Sequence, residues 1–520
     1  MHKRFLLDTV VNLYEKFKSE YPLAKISYSM FTKLRPFWVV KPTPKDRETC
    51  LCQIHENGQL LADRMYFLGL VTSKCRNVED LATSVCCDIN SRACAYGEYG
   101  MCKQHSVSKS IVKDYDEQAS TSWYQWQLDE KQYVKPGQEK IQTAKYVVKA
   151  PCHGTVKDLV EKVDFYLKQK LCKHVFNLRH QFRAARTLKS TLADSEAIIH
   201  VDFSENYQCG YAREVQSAHF GAAKGQVTLH TGVLYTSRQS ISFCSISDNK
   251  RHDAPAVWAH LTPVLAHLRN DTDTDNSIKC LHFESDSPSG QYRNRSNAYL
   301  MSTIPFDMGY SDVSWNYYEV GHGKGAPDGV GAAMKRNADD LVSHGRDILN
   351  ARNLYDELSP STSIKLFVVS DEDIAEIDKL VPSSIPPVPG LMNVHQIKCT
   401  VVGVIDAFRL SCVCNRCNTE CTCMAPVRTV LKPVSVKKSP EPRKSRTGAK
   451  RKMPRTARST AANKRQKEDT VDCCCLVCSE LWSTSHPGEQ WIQCQNCKNW
   501  AHVECTGLTK ATRSYLCDFC

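Results

Sequence analysis

No stretch of this 520-residue chain approaches the roughly 20 consecutive apolar residues that span a bilayer. A membrane-spanning helix is therefore excluded from the reading, and no membrane partner is expected. Met1 to Asp8 hold no apolar core ahead of their first acid, so a secretory leader is not expected either. The 27 cysteines are accordingly read as zinc ligands or buried thiols in a reducing compartment, not as disulfides. Helical spacing begins almost at Met1, which suggests an upstream part of a longer gene product. The composition is that of globular protein, 42% hydrophobic, and the length implies several domains.

Acids are scarce in one place. Residues 425–470 hold fifteen Lys and Arg against three Asp and Glu, a difference of twelve, which equals the net charge of +12 for the whole chain. This stretch carries Pro433, Pro440, Pro442 and Pro454, and no large apolar residue after Val436 except Met453. Such a segment cannot bury a core and is expected to be disordered. Runs such as Lys437-Lys438 and Lys450-Arg451-Lys452 read as a nuclear import signal or a phosphate-binding tail, which points to the nucleus and to DNA.

The last fifty residues carry eight metal-ligand side chains in order: Cys475-x2-Cys478, Cys494-x2-Cys497, His502-x2-Cys505 and Cys517-x2-Cys520. Each dyad sets two soft or borderline donors on one side of a tetrahedron, and eight donors make two Zn2+ sites. Cys473 and Cys474 leave the register of the first donor slightly open. With His in fifth place the order differs from that of a RING finger and resembles the PHD finger, a small chromatin-reading module. The resemblance implies interleaved pairing: Cys475, Cys478, His502 and Cys505 on one ion, and Cys494, Cys497, Cys517 and Cys520 on the other. It also implies that Trp500 fills the small core, and that Trp491, with Trp482, stands where an aromatic cage for a methylated histone lysine is often found. Gln495 replaces an acid common in the family, and no aromatic precedes Cys475, so weak binding of a histone tail is expected.

A third zinc site is expected from Cys50, Cys52 and His55, closed by Cys94 or Cys102, within a Cys/His-rich region that also holds Cys75, Cys86, Cys87 and His105. A dense group, Cys412, Cys414, Cys417, Cys421 and Cys423, is a weaker place for a fourth. Near the N-terminus, Leu6, Val10, Leu13 and Phe17 have helical spacing, and a second helix through Met30, Phe31 and Leu34 stops before Pro36. The pair is read as core helices in preference to a DNA-binding helix-turn-helix.

Residues 155–193 read as two long helices. The pattern then changes. Strands are expected at 197–203, 226–235, 241–246, 278–283 and 313–320, with helices at 254–268, 291–302 and 328–350. A further strand at 364–370 and a helix at 371–380 follow. The order βββ-α-β-α-β-α over about 197–350 resembles the ribonuclease H-like core of DDE-type transposases. That family places one acid on the first strand, one just after the fourth and one on a later helix. The matching residues are Asp202, Asp286 and Asp328, and the resemblance implies that they hold Mg2+ or Mn2+ for phosphoryl transfer to DNA. Glu319 is the rival third acid. Gln291-Tyr292-Arg293-Asn294 and Gly321-His322-Gly323-Lys324-Gly325-Ala326-Pro327-Asp328-Gly329 resemble strings of transposon-encoded proteins. The second string lacks the P-loop order, and His322 and Lys324 are read as contacts to DNA phosphate.

The expectation is a multidomain α/β chain. A helical, Cys/His-rich region occupies 1–115, and linking strands and long helices 116–196. A ribonuclease H-like mixed sheet with flanking helices occupies 197–352, and an α/β extension ending in the Cys group 353–424. The basic linker at 425–470 and a zinc-stabilised finger at 471–520 complete it. Two functions fit: a transposase, or a catalytically inactive DNA- or chromatin-binding protein derived from one. A RING-type ubiquitin ligase is disfavoured by the His position. An oligomer is compatible with either of the first two.

Overall fold

The computed structural model describes residues 4–5, 10–22, 24–36, 38–40, 52–134, 141–216, 224–270, 278–323, 325–413, 425–431, 490–495, 500–503 and 515. Helices α1 (Val10–Glu20) and α2 (Tyr28–Leu34) pack through Tyr14 and Phe17 against Tyr28 and Phe31. Helix α3 (Gln53–Phe67) then buries Leu61, Ala62 and Met65 in a core of its own.

Strands β1 (Ser120–Val134) and β2 (Ile141–Thr155) form a two-stranded antiparallel ribbon with Ser120 opposite Thr155 and Val134 opposite Ile141. At about 3.4 Å per residue it is about 50 Å long. At its base Thr155 and Asp158 close a capping box that starts helix α4 (Val156–Tyr166). A π-helical segment, Leu167–Leu171, leads into α5 (Cys172–Ser190). The two expected helices are thus one rod with a π insertion, which re-aims the face that follows.

The central sheet has nine strands. They are β3 (Glu196–Gln208), β4 (Gln226–Tyr235), β5 (Ser240–Ser247), β6 (Cys280–Ser285), β7 (Asp312–Tyr317), β8 (Lys365–Val368), β9 (Gln396–Val401), β10 (Val404–Phe408) and β11 (Val427–Val430). Their order is β8-β5-β4-β3-β6-β7-β9-β10-β11. β3, β6 and β7 are mutually parallel, β4 runs antiparallel to β3, and β9 to β11 add an antiparallel edge beside β7.

Helices cover both faces. α6 (Ala254–Asn270), α7 (Arg295–Met301) and α10 (Asp371–Leu380) bury one side, with Trp258, Tyr299 and Ile374 against Ile199, Phe283 and Trp315. α8 (Ala326–Ser343) and α9 (Ala351–Leu358) cover the other, with Met334 and Leu354 against Leu229 and Ile246. Parallel strands need cover on both faces because every side chain row is then apolar or internally bonded.

Several sequence expectations shift. The helix expected over 328–350 starts at Ala326 and ends already at Ser343, ahead of Gly345 at φ +93°, and α9 begins only at Ala351. The helix expected at 291–302 starts only at Arg295, because the Asn294 side chain caps it by accepting from Asn297 N at 2.8 Å. The basic stretch expected to be disordered from 425 begins with an edge strand, β11, whose Arg428 pairs with Asp406; residues 432–470 lie outside the described residues.

Trp315 is fully buried, stacks on Phe283 at 4.8 Å and donates from Nε1 to Ser285 Oγ at 2.9 Å. Trp315→Ala is expected to cost about 3–5 kcal/mol of stability. Urea denaturation checks this, and a loss below 1 kcal/mol would contradict the central place given to that side chain.

Candidate functional site

The parallel pairing of β3 and β6 ends with His200 opposite Glu284. Two residues further along each path stand Asp202, still on β3, and Asp286, just past β6. Parallel neighbours are about 4.8 Å apart, so these two carboxylates leave the sheet side by side. Asp328 reaches them from the first turn of α8, where its Oδ2 accepts from Gly325 N at 2.7 Å.

Burial pushes the Asp202 carboxyl up, and the charges of Asp328 and Asp286 raise it further, to about 7. Asp286 is also raised by burial, although it accepts from the Ser287 backbone N–H at 2.8 Å. Repulsion of this kind requires the three acids to share one neighbourhood. Hard oxygen donors in a mutually repelling set suit a divalent cation. Beside them His200 is buried, its Nε2 lacks a hydrogen-bond partner, and burial lowers its pKa to about 4 against the pull of Asp328. The loop ahead of α8 lies directly on the acids: a Cβ on Gly323 would come within 2.4 Å of Asp286 Cβ.

Glu319 faces elsewhere. Its Oε1 lies 2.9 Å from His174 Nδ1 and its Oε2 2.7 Å from His395 Nε2. Both oxygens are engaged, so the rival third acid belongs to a second cluster. That cluster joins Cys52, His55, His174 and His322, whose donor atoms all lie within 4.8 Å of one another. Cys52 is the N-cap of α3 and His55 its third residue, the spacing at which a capping pair meets across the first turn. His174 follows the π segment on α5. His322 arrives from the β7–α8 loop after Gly321, whose φ of +77° turns the chain toward Cys52. Burial raises the Cys52 thiol, but hydrogen bonds with His174, His322 and His55 outweigh it and hold it at about 3.

This corrects two expectations. Cys94 and Cys102 do not close the set begun by Cys52 and His55; they lie in a separate group in which Cys87, Cys102 and His105 converge and Cys94 hydrogen-bonds Cys102. Cys86, a free thiol, instead hydrogen-bonds the free thiol of Cys172. His322, read as a DNA contact, is turned inward. Cys50, Lys324 and the group Cys414 to Cys423 lie outside the described residues, and Cys412 is buried. Neither His174 nor His322 stands in a ligand dyad, so sequence spacing does not place them at a metal; His322, between Gly321 and Gly323, reads there only as a phosphate contact.

At the C-terminus β12 (Trp491–Gln493) pairs antiparallel with β13 (Trp500–His502), setting Trp491 opposite His502. Cys494 is buried and bridges to Tyr515, so the second dyad starts at the end of this hairpin. Trp491 and Trp500 are half-buried. The side chains of the other seven expected ligands, and Trp482, lie outside the described residues. Residues 475–520 match the PHD-finger family. They are a PHD finger. The chain is therefore a zinc-binding protein carrying a chromatin-related module. Residues 181–411, which include β3 to β10 and all three acids, match a domain of unknown function (DUF8701), and residues 1–43 match another (DUF8699). No curated protein and no solved structure matches the chain.

Asp202 keeps a proton up to about pH 7 when folded and to about 4 when unfolded. The folded chain binds the extra proton in that window, so the stabilisation is complete below about pH 4 and is lost as pH rises to about 7. In buffer free of added divalent cations, Asp202→Asn is expected to melt above wild type at pH 8, with the gap narrowing toward pH 5. Equal melting temperatures at pH 8 would contradict this.

Proposed function

We propose that residues 197–352 are a ribonuclease H-like core that cleaves and transfers DNA strands in a divalent-metal-dependent reaction, within a transposon-derived nuclear protein. The observation that carries the reading is the electrostatic convergence of Asp202, Asp286 and Asp328. They come from the first strand of the sheet domain, the end of its fourth and the helix after its fifth. Supporting it is the order β5-β4-β3-β6-β7, with the first, fourth and fifth strands parallel and the second antiparallel.

Mg2+ or Mn2+ bound there would stabilise the attacking and leaving oxygens of an in-line displacement. Asp202, Asp286 and Asp328 would be the side chains that hold the metal. Because Asp202 must lose its proton first, metal affinity should rise with pH through about 7. Neutral His200 offers no competing positive charge beside the acids. The fifteen cations of residues 425–470 would hold DNA by phosphate neutralisation and direct the chain to the nucleus. The PHD finger, with its eight ligands Cys475 to Cys520 on two zinc ions, would add contact with a histone tail.

One observation favours the second reading, a catalytically inactive DNA- or chromatin-binding protein. Asp328 Oδ2 already caps α8 through Gly325 N, a structural duty that would preserve the residue without catalysis. Strand transfer by the purified full chain with Mg2+ or Mn2+ separates the two. Activity is expected, and Asp202→Ala should lower it at least about 100-fold, the scale of losing one preorganised electrostatic contact. DNA binding without any metal-dependent cleavage would establish the second reading.

The finger makes its own prediction. Titration with histone-tail peptides should give micromolar or weaker binding, about −8 kcal/mol at best, because Gln495 removes an acid from the expected surface. Trp491→Ala should weaken binding to a trimethylated peptide more than to the unmodified one. Unchanged affinity would leave Trp491 as a packing residue.

A further inference from the structure

We propose that Cys52, His55, His174 and His322 bind one structural zinc ion that ties the β7–α8 loop to the N-terminal helical unit. The four ligands come from the start of α3, the middle of the α4–α5 rod and a loop some 270 residues later in sequence than Cys52. Their spacing is that of a coordination shell. Cys52 Sγ lies 3.2 Å from His174 Nε2, His174 Nε2 lies 3.1 Å from His322 Nε2, and His322 Nε2 lies 3.3 Å from His55 Nδ1. Bonds of about 2.05 Å to nitrogen and 2.3 Å to sulfur at tetrahedral angles put nitrogens about 3.3 Å apart, and sulfur about 3.6 Å from nitrogen. One thiolate and three imidazoles converging in a partly buried cluster suit zinc.

A zinc-bound state, with neutral imidazoles, places the protons consistently. An ionised carboxylate only accepts, so Glu319 Oε1 calls for the proton of neutral His174 on Nδ1. That leaves a lone pair on His174 Nε2, the atom that faces both Cys52 and His322. His322 Nε2 likewise faces two donor atoms, His174 Nε2 and His55 Nδ1. Lone pairs aimed at one point are stable around a cation. The Glu319–His174 pair is also the outer-shell arrangement that orients a zinc-bound imidazole. Glu319 is held in turn by His395, whose Nδ1 lies 2.6 Å from the Arg409 carbonyl oxygen.

The site reaches the acid cluster through one short loop. His322 is a proposed ligand, Glu319 orients another through His174, Gly323 presses on Asp286, and Asp328 opens α8. The ion would thus act as a positioning element for Asp286 and Asp328; this consequence rests on the catalytic reading above, whereas the zinc site itself does not.

Zinc content of the purified full chain tests the site without DNA. Cys52→Ser and His322→Gln should each lower it by one ion per chain, Cys52→His should retain that ion, and Glu319→Gln should weaken its retention about 10–100-fold. Unchanged zinc content in Cys52→Ser and His322→Gln would overturn the proposal. Should those variants fail to fold, wild-type crystals decide: anomalous scattering at the zinc edge is expected to give a peak among the four donor atoms. A peak at the PHD finger with none there would overturn it. Loss of strand transfer with zinc content intact would count against the catalytic reading alone.

Discussion

Like charges held together at the end of a buried sheet set the terms for this molecule. Asp202 and Asp286 are neighbours because β3 and β6 run parallel, and their register is locked by Ile199, Leu281 and Phe283 in the core. Asp328 joins them because α8 packs across β3 and β4. The fold thus imposes burial and, added to it, a repulsion that together raise Asp202 to about 7. A proton relieves it at low pH, and a divalent cation would relieve it at neutral pH while supplying the chemistry proposed here.

The stretch from Glu319 to Asp328 links the two clusters. Over ten residues it passes a carboxylate to His174 and His395, an imidazole to the Cys52 cluster, a bare backbone to Asp286 and a carboxylate to the acid set. Gly321 and Gly323 make this route sterically open. The N-terminal unit is therefore anchored to the part of the sheet domain where the acids lie. In the proposed account, rigidity in this loop keeps the carboxylates in place without competing for their oxygens.

Much of the sheet was readable because its strands are short, strongly apolar and punctuated. The expected range 226–235 is β4, and the helix at 371–380 is α10, marked by Ser370 and Asp373 closing a capping box. The ribbon of β1 and β2 was harder to bound: Tyr124, Trp126 and Leu128 alternate with polar residues, but Tyr124 and Leu128 stay exposed, so the alternation marks no core. The edge strands β9 to β11 were likewise hidden beside a Cys-rich, basic stretch. The three acids could be picked out by their places relative to strands, but the second cluster could not. Cys52 and His55 formed a visible dyad, whereas His174 sits in a helix among basic residues and His322 in a loop that resembled a phosphate contact. Only tertiary packing brings them together. The PHD finger was the clearest signal of all, since its dyads are local and each records a metal geometry directly in sequence.

The central claim is that Asp202, Asp286 and Asp328 share divalent metal. Anomalous scattering from crystals of the full chain soaked in millimolar Mn2+ at pH 8 tests it most directly. The account predicts manganese in contact with Asp202 and at least one of the other two carboxylates, absent from Asp202→Asn crystals. Manganese missing from all three carboxylates under those conditions would contradict it.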